Sequence, residues 1–236
     1  MVQTHIYETS WNGSDIMTKP IKKSDLKKSW IRQRRDRKIL IAPEYHLIVT
    51  EGEKTEPLYF EGLKNEINKK YKDRISIQIE GIGQGNNTLT LLERAKELVQ
   101  NNINPIKHVW LVYDKDDFPP SDFDNTYYKC ATISNSNVTY HALYSNECIE
   151  LWFLLHFEYL QSAIHRNDYY PKLSNYLEVK YQKNMDTMYQ RLKPFMKIAI
   201  ANAKRLEKSY FNEPPTKRYP STKVYEIFEF LKDYIN

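Results

Sequence analysis

His46-Leu47-Ile48-Val49-Thr50-Glu51-Gly52-Glu53-Lys54-Thr55-Glu56 is the stretch that decides the fold. A short apolar run of the kind that forms a buried strand stops at a carboxylate and a glycine, and Thr55 then opens a helical pattern with Pro57 in its first turn. Ligands of open α/β sheets collect where strands end and helices begin. Glu51 stands at such a mouth. Val109-Trp110-Leu111-Val112-Tyr113 has the same design and runs into Asp114-Lys115-Asp116-Asp117. Two strand ends carrying acids predict one metal site assembled from separate parts of the chain.

Working outward, helix one continues through Leu58, Phe60, Leu63 and Ile67, and Ile75–Glu80 alternates as strand two. A glycine-rich turn, 81–87, lacks both the dinucleotide spacing and the P-loop lysine and hydroxyl, and is read as a tight connection. Thr88 caps a second helix, His108–Tyr113 is strand three, a short helix spans 122–131, and Val138–Tyr144 is strand four. This alternation predicts a parallel sheet with helices on both faces. In the order 2-1-3-4, the switch point falls between Glu51 and Asp114.

Asn146 is expected to cap the next helix, with Glu147 favoured by the helix dipole. That helix is apolar nearly all round, so Glu150 is a buried carboxylate that needs a partner or a metal, whereas His156 is read as a core histidine. Residues 160–206 are helical and tyrosine-rich, with breaks at Tyr170-Pro171 and Lys193-Pro194. A polar loop, 212–221, precedes a last helix capped by Thr222. The expected organisation is a basic arm (1–38), an α/β domain of about four strands (39–158) and a C-terminal helical addition (159–236).

The hydrophobic and charged fractions, 41% and 28%, are those of a soluble globular chain. No apolar run approaches the ~20 residues of a membrane span, and no signal-peptide core is visible at the N-terminus, so a cytoplasmic location is expected. Cys130 and Cys148 form no ligand cluster and are read as buried small hydrophobes. Residues 21–38 carry nine lysines and arginines against two aspartates, more than the net +5 of the whole chain, which leaves the body slightly acidic. The arm would contact phosphates or an acidic partner, or else be a solvated leader.

Mg²⁺ or Mn²⁺ takes oxygen ligands and keeps several waters, so few carboxylates suffice when substrate phosphate joins them. Glu51, Asp114 and Asp116 are the expected metal ligands, and Lys54 would offset charge on a phosphate or leaving group. Glu51, Lys54 and Glu150 are the expected catalytic residues.

The segments Thr50-Glu51-Gly52-Glu53-Lys54-Thr55-Glu56-Pro57, Tyr113-Asp114-Lys115-Asp116, Glu150-Leu151-Trp152 and Pro220-Ser221-Thr222-Lys223-Val224-Tyr225 resemble the RloB family of bacterial proteins. Glu147 stands where that pattern has a proline or small turn residue. The resemblance implies a Toprim-like fold in which the glutamate after strand one is acid/base or metal ligand and the Asp-x-Asp after strand three binds Mg²⁺. It also implies an effector of restriction-linked or abortive-infection defence that works beside an AAA-type or ABC-type ATPase. The leading expectation is therefore a Mg²⁺-dependent nuclease acting on DNA or structured RNA such as tRNA. The alternative is a non-catalytic scaffold subunit of an ATPase complex; nucleotidyl transfer ranks below both.

Overall fold

A computed structural model of the chain describes residues 42–83, 88–115, 119–210 and 212–235. The basic arm, Asp116, and residues 84–87 of the glycine-rich turn lie outside these. Strands β1 (Glu44–Thr50), β2 (Ile75–Gly81), β3 (Ile106–Asp114) and β4 (Thr139–Asn146) pair in parallel, and β5 (Ser221–Thr222) closes the β4 edge antiparallel. The sheet order is β2-β1-β3-β4-β5, so the expected 2-1-3-4 arrangement and its switch point between β1 and β3 are present. Helices α1 (Thr55–Tyr71), α2 (Thr88–Gln100) and α3 (Pro120–Ile133) follow the first three strands. The result is an α/β fold consistent with a Toprim-like arrangement.

The pleat divides the core in two. Ile48, Trp110, Val112 and Leu143 face α1 and the C-terminal helices. Leu47, Val49, Val109, Leu111 and Tyr113 face α2 and α3. Alternate side chains of a strand point to opposite faces, and burial on both faces explains why these strands read as continuous apolar runs. The C-terminal elements α4 (Glu150–Leu154), α5 (Arg166–Leu177), α6 (Met188–Leu192), α7 (Met196–Lys208) and α8 (Tyr225–Phe230) share the first cluster, through residues such as Leu173, Leu192, Ala199 and Phe228.

Four local expectations need correction. Asn146 ends β4 rather than capping α4, because its amide serves other partners: Nδ2 reaches the carbonyls of Pro215, Thr216 and Arg218 at 3.1–3.2 Å. Glu147 accepts from Arg166 and from the Tyr219 hydroxyl instead of resting on a helix dipole. Pro171 lies inside α5 without ending it. The loop before the last helix contains β5, where Thr222 pairs with Ser145, and α8 begins only at Tyr225.

Candidate active site

The C-terminal ends of β1 and β3 lie side by side, and both turn into the same cleft. The Glu51 N–H donates to the Val112 carbonyl at 3.0 Å, carrying the β1–β3 ladder one residue past the strand. Glu51 then folds its carboxylate across the gap, where Oε2 accepts the Asp114 N–H at 3.3 Å. Asp114 in turn uses Oδ2 to accept the Ile149 N–H at 3.2 Å, tying the end of β3 to the entry of α4. Gly52 leaves room at the turn for the Glu56 carboxylate, which a Cβ there would push aside.

Glu51, Lys54, Asp114 and Glu150 all line one cleft of about 290 Å³. Three further charged groups that the sequence reading passed over join them: Glu53, Glu56 and Lys183. Five carboxylates thus face two ammonium groups. Glu150 is 1% exposed and accepts the Tyr181 hydroxyl at 2.9 Å, which supplies the partner that its burial demands. Among the described residues, Glu51, Asp114 and Glu150 do not bring three ligand atoms within 4.8 Å of one another. The pair on offer is Glu51 with Asp114, with Glu150 set into the wall.

The electrostatics follow from this crowding. Burial lowers the affinity of Lys183 for its proton, but the carboxylate of Glu150, with Tyr170 and Asp114, outweighs that and raises its pKa. Burial first, then Glu150, pushes the Tyr181 hydroxyl far up, so it remains a donor. Burial also raises the Cys148 thiol, reinforced by Glu150 and Asp114, and raises Cys130 to about 12. Both cysteines are buried thiols, as expected from sequence. His156 is fully buried, with Nδ1 donating to the Trp152 carbonyl at 2.9 Å.

Lys183 and Tyr181 lie in the segment between α5 and α6, where no sequence motif marks them. Glu56 could have been found, since it repeats the acid of Glu51 at the start of the following helix.

The sequence model of the RloB-like protein family matches residues 46–231. The chain belongs to the RloB family. The match runs from β1 to the end of the C-terminal helices, so this RloB chain carries both the strand-end acids and the Lys183 segment inside the family region. No curated protein and no solved structure matches it significantly. No helix among the described residues is long and apolar enough to cross a membrane.

Proposed function

We propose that this RloB protein is a Mg²⁺- or Mn²⁺-dependent phosphodiesterase that cuts DNA or structured RNA such as tRNA, as the effector of a phage-defence system with a partner ATPase. The observation that carries the reading is the charge of the cleft: carboxylates from two strand ends, the turn after β1 and two helix starts outnumber lysines five to two. Such a surface repels a polyanion, and a hard dication is what makes it compatible with phosphate.

The donor set fits that ion, since Glu51 and Asp114 offer carboxylate oxygens from two rigid strand ends, each oriented by a backbone N–H. A dication there would polarise a phosphoryl oxygen and lower the pKa of a bound water. Glu51 is placed to act as ligand or as the base that takes a proton from an attacking water. Lys54, exposed at the rim, would meet phosphate entering from solvent, and Lys183 would meet charge developing inside. Glu150, held by Tyr181, helps keep Lys183 protonated.

The test is cleavage of plasmid and total tRNA in Mg²⁺ or Mn²⁺, with the genetically neighbouring ATPase added, comparing wild type with Asp114→Ala and Glu51→Gln. Products from wild type alone support the reading. Equal activity in all three proteins, or no product in any, removes it in favour of a scaffold role.

A further inference from the structure

Three histidines lie side by side at the other end of the sheet. His46 on β1 is in register with His108 on β3, and Trp110, two residues on, is in register with His141 on β4. All four side chains share the face that packs on α8, and Phe230 covers them, with its ring centroid 4.5 Å from His108 and 5.6 Å from His46. Glu44 projects from the start of β1 on the same face, more exposed than the rings. Five residues of strand separate His46 from Glu51, roughly 16 Å at strand rise, so this cluster is separate from the acidic cleft.

Glu44 Oε1 lies 2.9 Å from His46 Nε2 and 3.7 Å from His108 Nε2. One ligand atom from each of Glu44, His46 and His108 falls within 4.8 Å of the other two, and among the described residues no other group of three does so. We propose that Glu44, His46 and His108 bind a first-row transition-metal dication of the zinc class, with solvent at the fourth position.

Two imidazoles and a carboxylate, with an open side, match the borderline ligand preference of zinc better than that of Mg²⁺. The surroundings of the ligands fit as well. His108 has Nδ1 3.0 Å from His141 Nε2, so an Nδ1–H given to His141 leaves the Nε2 lone pair aimed at Glu44.

His46 sets a cost on binding. Its Nδ1 accepts the Trp110 indole N–H at 3.1 Å, which places the ring proton on Nε2, where it is donated to Glu44. A metal at Nε2 requires that proton on Nδ1, and the indole N–H then loses its acceptor. Removing the indole donor should therefore strengthen binding. A plain histidine hydrogen-bond network gives no reason for such an effect.

The experiment is Zn²⁺ titration of the full chain by calorimetry with chelator competition, for wild type, His108→Ala, Glu44→Gln, Trp110→Phe and Asp114→Ala, with circular dichroism confirming the fold of each. With the acidic cleft occupied by excess Mg²⁺, the expected result is one tight zinc equivalent that His108→Ala weakens more than ~100-fold, beyond the effect of losing an outer-shell partner. Trp110→Phe tightens it about 5-fold, and Asp114→Ala leaves it unchanged. Binding that survives both His108→Ala and Glu44→Gln, or that disappears in Asp114→Ala, overturns the proposal. If His108→Ala fails to fold, the exposed Glu44→Gln decides.

Discussion

The Glu51 carboxylate accepts the backbone N–H of Asp114 at 3.3 Å, although 63 residues separate the two in the chain. The contact exists because β1 and β3 are parallel neighbours in register, so their ends emerge together at the switch point. One hydrogen bond thereby fixes the orientation of the first acid by the position of the second.

Glutamine at position 51 keeps an oxygen that can accept this N–H and removes only the charge. Glu51→Gln should fold normally, with a melting temperature in chelator equal to or above wild type, because one of five crowded carboxylates is neutralised. Metal-dependent cleavage should fall ~100-fold or more. A melting temperature several degrees lower would instead assign Glu51 to structure.

Lys183 should oppose the metal that the cleft attracts, as a like charge in the same space. Lys183→Met is expected to tighten Mg²⁺ or Mn²⁺ binding while lowering cleavage at saturating metal. Metal titration and rate measured on the same variant separate the two effects. Unchanged metal affinity would show that its ammonium group is too well solvated to act there.

The Trp152 indole donates to the Tyr59 hydroxyl at 2.9 Å, with both side chains fully buried between α1 and α4. Tyr59→Phe strands the indole N–H and should cost ~1–3 kcal/mol in urea unfolding. In the background of Trp152→Phe, the same change should cost clearly less, because no donor is left unpaired. Equal costs in the two backgrounds would mean that the bond contributes nothing.

The Asn146 amide faces three carbonyl oxygens of residues 215–218. Asn146→Ala loses the donors, at ~1–3 kcal/mol. Asn146→Asp should be worse, since it points a carboxylate at the same oxygens. Chemical denaturation of the two variants gives the ranking, and an aspartate no worse than alanine would contradict the observed contacts.

Burial holds the pKa of His156 at about 4, below its ordinary 6.5. The unfolded chain therefore binds a proton between pH 6.5 and 4 that the folded chain refuses. The stability conferred by the neutral ring is complete above pH 6.5 and is lost as pH falls towards 4, by up to about 1.4 kcal/mol per pH unit. Unfolding free energies across this range should show a shallower slope in His156→Phe than in wild type, whatever the offset. Parallel slopes would place His156 in contact with water.

The strands and the strand-end acids were legible because both signals are local: apolar runs bounded by Glu51-Gly52 and by Asp114, each followed by helical periodicity. What escaped reading depends on contacts made at long range. β5 is two residues long and has no pattern of its own; Ser145 and Asn146, more than seventy residues earlier, give it a partner. Asn146 is a good helix cap by type, and only the 215–218 segment shows why it does something else. Lys183 becomes a cleft residue through Glu150. The three histidines sit near the starts of three separate strands, so nothing in the spacing of the sequence links them.

The β4 edge is completed by Ser221 and Thr222, and Lys223 adds a further N–H to the Tyr144 carbonyl at 2.8 Å. During synthesis, every acid of the cleft leaves the ribosome well before this piece does. A nascent chain stalled before residue 221 would expose a bare strand edge and the apolar surface that α8 covers.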